Sequence, residues 1–271
     1  MIHERIGDLA VLHEPARGTA DRGPLVLLHG LWGGSWIFQN WLEPAAERGW
    51  DVWAVSLRGR EGSRPVEDLG KVRLQDFARD LQDALAGIGP AAVVGYSMGG
   101  LVLQMVASDA ASRHLVRSAV LLCSVPPRGV VALAGPVVRR SWRYLPVMFG
   151  GRLMLPNRAD ADAMLMNAMS SAERARWYPS FIADSGRAAL QIAVGSVAVD
   201  PAGITCPVLV VSAEHDRISP PAIQPKLVSR YHAAHLRVAW HAHLVTIEPG
   251  WQGVCIEVLD RLEGQSERLG D

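Results

Sequence analysis

Ala91-Ala92-Val93-Val94-Gly95-Tyr96-Ser97-Met98-Gly99-Gly100-Leu101-Val102-Leu103-Gln104-Met105-Val106 is the stretch whose reading decides the fold. Gly89-Pro90 opens a short apolar run, Ala91 to Val94, of the kind a strand buried on both faces requires. Beyond Gly99, Leu101, Val102, Met105 and Val106 recur at helical spacing toward Ala111. Between strand and helix lies a Gly-x-Ser-x-Gly turn, sharp enough to force Ser97 into a strained conformation with its hydroxyl raised above the sheet. Cβ atoms at Gly95 and Gly99 would collide with neighbouring backbone. The first turn of the helix offers unpaired N–H groups and the positive end of a dipole, both suited to a developing oxyanion.

This strand–turn–helix setting resembles the α/β-hydrolase fold family, in its serine-nucleophile, esterase-like branch. The resemblance implies an α/β protein with a mostly parallel central sheet flanked by helices and a helical cap inserted after the sixth strand. It covers nearly the whole chain outside that cap. Its motifs are specific for the fold and weakly specific for the substrate.

Toward the N-terminus, Leu25-Val26-Leu27-Leu28 is a strand candidate that runs into His29-Gly30-Leu31-Trp32-Gly33-Gly34-Ser35-Trp36. This loop is similar to the family's His-Gly-x loop. By that resemblance the backbone N–H groups of Leu31 and Met98 form the oxyanion hole, which leaves both side chains free to line a pocket. His29 is read as a brace for the loop rather than a proton carrier. Upstream, Ile2 to His13 alternates weakly and predicts one or two antiparallel edge strands. A helix is expected from Ser35 to Arg48, with Ile37, Trp41, Leu42 and Ala45 on one face and Gly49 closing it. Asp51 to Ser56 is the next strand. Many relatives carry an aspartate where Ser56 stands, so local bracing should differ there, while Arg58, Arg60 and Glu61 read as a solvated loop. Leu74 to Ala86 is amphipathic and predicts a helix behind the Ser97 strand.

Toward the C-terminus, Ser118 to Cys123 is another buried strand, ending at Pro126-Pro127. Alternating strands and helices imply a parallel sheet with right-handed crossovers. From about Arg128 to Gly186 the chain has helical periodicity and no convincing strand, and holds five of the eight methionines, Met148, Met154, Met164, Met166 and Met169. The domain reading is therefore a core of residues 1–127 and 187–271 with a cap at 128–186. Methionines there suit either an adaptable apolar pocket or simple packing of cap on core. The pocket candidates are Trp32, Tyr96, Met148, Met166, Met169 and Leu244. Trp142, Trp177, Tyr178 and Phe181 fit either role.

Beyond the cap, a helix around Ala188 to Val197 precedes the strand Pro207 to Ser212. Asp216 follows that strand and stands ahead of a proline-started helix, where the family places its acid; Glu214 competes. The last strand is expected at Leu236 to Trp240, and the last helix at Gln252 to Leu262. His243 has the family's spacing before Glu248-Pro249 and is selected as base over His241. Glu248 is read as a helix N-terminal acid. The order Ser97, Asp216, His243 is the one this family uses.

Length and charge bound the rest. The 271 residues suffice for one large domain with an insertion, and 27 basic residues balance 27 acidic ones, so no bulk charge favours nucleic acid or an anionic membrane. No apolar stretch approaches the roughly 20 residues of a membrane span, and the start lacks a signal peptide's apolar segment. Cys123, Cys206 and Cys255 are scattered in apolar surroundings, which fits buried free thiols in the cytoplasm better than disulfides or a metal site. No metal or organic cofactor is expected. The expected partner is a small-molecule substrate alone, with monomer and homodimer both open.

The resemblance implies hydrolysis of a small-to-medium, largely apolar carboxylic ester or lactone through an acyl-enzyme on Ser97. Serine in place of an aspartate nucleophile argues against haloalkane dehalogenase or epoxide hydrolase chemistry. A C–C bond hydrolase, lyase or acyltransferase would use the same residues, since similar His-Gly loops occur in plant esterases related to hydroxynitrile lyases. A non-catalytic ligand-binding protein of the same fold is the third reading.

Overall fold

Period-two alternation along the strands builds two apolar layers, one on each side of a single sheet. The computed structural model describes residues 1–18, 20–60, 62–130, 140 and 142–269. Its strands are β1 (Ile2–Ile6), β2 (Leu9–Glu14), β3 (Gly23–Leu28), β4 (Trp50–Val55), β5 (Ala91–Tyr96), β6 (Val116–Leu122), β7 (Leu153–Met154), β8 (Asp184–Ser185), β9 (Val208–Ala213) and β10 (Ala234–Val238). Eight of them form one sheet in the order β1-β2-β4-β3-β5-β6-β9-β10. β1, β2 and β4 pair antiparallel in turn, and every other neighbour in that sheet is parallel.

Helices α1 (Gln39–Glu47), α2 (Leu74–Ile88) and α3 (Met98–Ser108) connect the early strands. Shorter helices follow at α4 (Leu145–Phe149), α5 (Arg158–Met164), α6 (Ser171–Trp177) and α7 (Gly186–Ala193). α8 (Gln224–Tyr231) and α9 (Trp251–Leu269) end the chain. Leu25, Leu27, Ala92, Val94 and Tyr96 face one layer, shared with Trp41 and Leu42 of α1 and Val258 and Leu259 of α9. Val26, Leu28, Ala91 and Val93 face the other, shared with Phe77 and Leu81 of α2, Leu101 and Val102 of α3 and Leu227 of α8. Each fully buried Leu or Val stabilises such a layer by about 1.5–3 kcal/mol.

Register brings the strand ends together. Leu28 pairs with Val55 and Gly95, Tyr96 with Leu122, and Leu122 with Val211. The loops after β3, β5, β6 and β9 therefore leave one edge of the sheet, the carboxyl ends where open α/β sheets bind ligands.

The expected elements are present, with shifted limits. The first helix begins as a 3-10 turn, Ser35–Phe38, before becoming α1. α3 stops at Ser108, α7 runs Gly186–Ala193 rather than Ala188–Val197, and α9 extends past Leu262 to Leu269. β10 lies two residues upstream of Leu236–Trp240, because Trp240 takes a positive φ of 65° and points to solvent. The segment between β6 and α7 is helical where described but does contain strand. β7 and β8 pair antiparallel through two residues each, too short for any alternation to show in the sequence. Residues 131–139 of the expected helical insertion, and Glu61 of the expected solvated loop, lie outside the described residues. Cys123 and Cys255 are buried and Cys206 half-buried, all three as free thiols. Among the described residues no helix is long and apolar enough to cross a membrane.

Two glycines separate fold requirement from tolerance. A Cβ on Gly99 would sit 2.5 Å from the Leu28 carbonyl oxygen and 2.6 Å from that of His29, whereas one on Gly253 of α9 meets nothing within 4 Å. Gly99→Ala should destabilise the fold by about 1–3 kcal/mol, and Gly253→Ala should stabilise it by about 0.5–1 kcal/mol. Urea midpoints of the two variants check both signs.

Candidate active site

Ser97 closes β5 and caps α3 with φ +54° and ψ −117°, a conformation that costs a non-glycine residue about 1–3 kcal/mol. Backbone bonds hold it there: its N–H donates to Leu122 O at 2.9 Å, and its carbonyl accepts from Gly100 N–H at 3.0 Å and Val125 N–H at 3.2 Å. The His29-Gly30 loop lies directly against it. A Cβ on Gly30 would fall 2.8 Å from Ser97 Cβ and 3.3 Å from its Oγ, so only glycine lets the two backbones approach this closely.

The loops after β9 and β10 deliver two further side chains. His243 Nε2 lies 2.9 Å from Ser97 Oγ, and its Nδ1 lies 2.8 Å from Asp216 Oδ2. All three are buried. An ionised carboxylate only accepts, so Nδ1 carries the proton and Nε2 is free to accept from the Ser97 hydroxyl. The other Asp216 oxygen, Oδ1, accepts from Ile218 and Ser219 N–H, both at 2.8 Å, which fixes the carboxylate's orientation. The competitors are placed elsewhere. Glu214 is exposed and accepts from Trp240 N–H at 3.1 Å, while His241 turns its Nδ1 toward Glu248 at 3.3 Å.

His29 is a brace, and its tautomer follows from its partners. Leu57 N–H can only donate, to Nε2 at 3.1 Å, so Nδ1 carries the hydrogen and donates to Gly30 O at 2.7 Å. Burial, with help from the Arg60 charge, pushes this imidazole well below its ordinary pKa, against a smaller opposing effect of the Gly30 bond. Burial likewise raises the Tyr96 phenol and the Cys123 thiol, with the Asp216 and Glu248 charges adding to both. Cys123 is thus held as a thiol beside the site, not as a competing thiolate nucleophile.

The reading of Arg58 and Arg60 as solvated is overturned. Arg60 is buried and pairs with Asp184 Oδ2 at 2.5 Å, and its Nε donates to Gly33 O at 3.1 Å. Half-buried Arg58 makes a two-pronged contact with buried Asp80, at 2.9 and 2.8 Å. The counter-charge of Arg60, Asp184, lies more than a hundred residues further along the chain, so nothing local in the sequence signals its burial. Ser56 braces by exchanging hydrogen bonds with Ser35 through the Ser35 N–H at 3.2 Å and hydroxyl at 3.0 Å.

The other candidates are distributed around this centre. Leu31 is half-buried and packs on a small cluster of Met148, Met154, Ala189 and Leu190. Met98 is buried in the first turn of α3. Trp32 has φ +64°, its N–H donates to Asp184 Oδ2 at 2.9 Å, and its indole N–H donates to Met154 O at 3.1 Å. Tyr96 stands with its ring 5.2 Å from that of His243. Met166, Met169 and Leu244 share the apolar layer of Tyr96, together with Trp177 and Phe181, while Trp142 is exposed. Glu248 is not in the first turn of α9, which begins three residues later at Trp251 and carries no acid. Among the described residues, no group of three or more His, Cys, Asp or Glu could hold a metal ion.

The family model for "Alpha/beta hydrolase family" matches residues 25–252. No curated protein sequence matches the chain significantly. Among solved structures, the chain is similar to an enol-lactonase from Burkholderia xenovorans LB400, at 18% identity and a TM-score of 0.68 over 97% of this chain and all (100%) of that one. It is similar to a monoacylglycerol lipase from Paleococcus ferrophilus at 18% identity and 0.70, over 95% and 99% of the two chains. A thermophilic esterase from Thermogutta terrifontis gives 21% and 0.70, over 94% of each. At these identities the likeness establishes a shared fold.

Two buried groups give measurable consequences. Asp184→Asn leaves the Arg60 guanidinium buried without its counter-charge and should cost about 3–5 kcal/mol in urea unfolding. His29 has a folded pKa below its unfolded value, so the unfolded chain binds the extra proton. Its contribution is complete above about pH 6.5 and is lost as pH falls, at up to about 1.4 kcal/mol per unit. Stability measured from pH 7 to 5 should therefore fall less steeply in His29→Asn than in the parent chain.

Proposed function

The chain belongs to the alpha/beta hydrolase family, and from that premise we propose a serine hydrolase that cleaves a small-to-medium, largely apolar carboxylic ester or lactone. The observation that carries this reading is the buried relay of two hydrogen bonds, Ser97 to His243 at 2.9 Å and His243 to Asp216 at 2.8 Å. A serine alcohol is a weak nucleophile at neutral pH and needs a base within reach. In this reading Ser97 Oγ attacks the ester carbonyl as its proton passes to His243 Nε2, and Asp216 holds the imidazole's tautomer and stabilises its cationic form. The tetrahedral oxyanion accepts from the main-chain N–H groups of Leu31 and Met98, a contribution of about 3–4 kcal/mol per donor at comparable sites. Collapse expels the alcohol, which takes the proton from His243. A water then loses a proton to the same nitrogen, attacks the acyl-enzyme and releases the acid.

The substrate class rests on what surrounds the relay. Met166, Met169, Leu244 and Tyr96 belong to one apolar layer, and Met148 packs with Leu31 and Trp32 on the side of the donor loop. Methionine adapts its shape to an apolar guest. A lactonase, a lipase and an esterase among the similar structures support an ester or lactone as the bond cleaved. In this reading the segment from 128 to 186 is the cap over the site.

With p-nitrophenyl acyl esters of two to eight carbons, Ser97→Ala should lose about 10⁴-fold or more in kcat. Equal rates for the two proteins would overturn the proposal. So would turnover of a β-diketone or cyanohydrin with no acyl-enzyme on Ser97, which would assign the relay to C–C bond chemistry.

A further inference from the structure

Glu248 is buried, yet no Lys or Arg is among its hydrogen-bond or ion-pair partners in the described residues. Its Oε2 accepts from Ala242 N–H at 2.8 Å and its Oε1 from Leu244 N–H at 2.9 Å. These N–H groups belong to the two residues that flank His243 in the chain. The His241 imidazole approaches Oε2 at 3.3 Å, and a Cβ on Gly250 would sit only 3.3 Å from that ring, so glycine leaves the ring its place. The chain from 241 to 248 thus winds around one carboxylate, closed by Ile247 and Glu248 N–H donating to Leu244 O, both at 2.9 Å. His215 N–H donates to His241 O at 2.8 Å and stitches this loop to the one that carries Asp216.

We propose that Glu248 is a positioning residue whose carboxylate grips the backbone on both flanks of His243 and so sets where the imidazole stands between Ser97 and Asp216. Isolated charges are buried only where strong hydrogen bonds compensate them, and peptide N–H donors to a carboxylate are of that strong kind. Both Glu248 oxygens are engaged on one three-residue stretch, which restrains the backbone on either side of the residue that carries the imidazole. Displacement of a reacting group by about 1 Å costs about a hundredfold in rate. The inference rests on the reading of His243 as the base.

Glu248→Gln has the same length but replaces one accepting oxygen by an NH2 group, which then faces a peptide N–H. With a p-nitrophenyl ester, kcat should fall tenfold to a hundredfold while KM stays within twofold, in a protein whose circular dichroism matches the parent. Unchanged kcat in folded Glu248→Gln would overturn the proposal. If that variant does not fold, Glu248→Asp is measured in its place. It keeps the charge but is one methylene too short to hold both N–H groups, and full activity in it would equally overturn the proposal. A parent protein that cleaves no ester would count against the functional reading rather than the grip. In that case the low-field proton resonance of His243 Nδ1–H is compared in parent and variant: a displaced or lost signal supports the grip, and an identical signal contradicts it.

Discussion

The strained backbone at Ser97 is the constraint around which the rest of the molecule is arranged. A residue with a side chain holds φ +54° at the end of a buried strand, and that is possible only because its surroundings have no Cβ atoms to interfere. A Cβ on Gly30 would lie 2.8 Å from Ser97 Cβ, one on Gly95 2.5 Å from the Gly99 carbonyl oxygen, and one on Gly99 2.5 Å from the Leu28 carbonyl oxygen at the end of β3. The conformation is imposed by β5 below it and by α3 leaving above it, both locked into the two apolar layers. Strain of this size persists only where the surrounding structure over-determines the geometry.

Three of the loops around Ser97 are fixed by a buried carboxylate that accepts backbone N–H groups. Asp216 accepts from Ile218 and Ser219 in its own loop, Asp184 from Trp32 in the loop after β3 and from Ser185, and Glu248 from Ala242 and Leu244 beside His243. Arg60 neutralises Asp184 and also reaches Gly33, so the segment after β3 is tied to the strand β8 that returns the chain to the core. Irregular segments carry peptide groups that no sheet or helix satisfies, and a carboxylate can satisfy two at once with strong bonds. The result is a set of loops whose backbone is tied down by buried hydrogen bonds.

Much of this was legible in the sequence, and the division has a physical basis. Gly95-Tyr96-Ser97-Met98-Gly99 announces its turn because the constraint is local: the residues that must be small adjoin the one that must be strained. Strand runs such as Leu25–Leu28 are legible because burial on both faces leaves no polar position. The residues that stayed hidden act over long separations. Arg60 reads as a loop charge until Asp184 is folded against it, and Glu248 reads as a helix N-terminal acid because its bonds run backward to 242 and 244. Two-residue strands such as β7 and β8 carry no periodicity to read. Spacing before Glu248-Pro249 singles out His243 over His241, and the structure brings His243, not His241, to Ser97.

The measurement that bears most directly on the relay is covalent labelling of the folded protein with a fluorophosphonate, followed by mass mapping of the adduct. One stoichiometric adduct is expected, on the peptide that contains Ser97, formed far more slowly when His243 is replaced by alanine. Folded protein that remains unlabelled, or an adduct at another side chain, would contradict the relay.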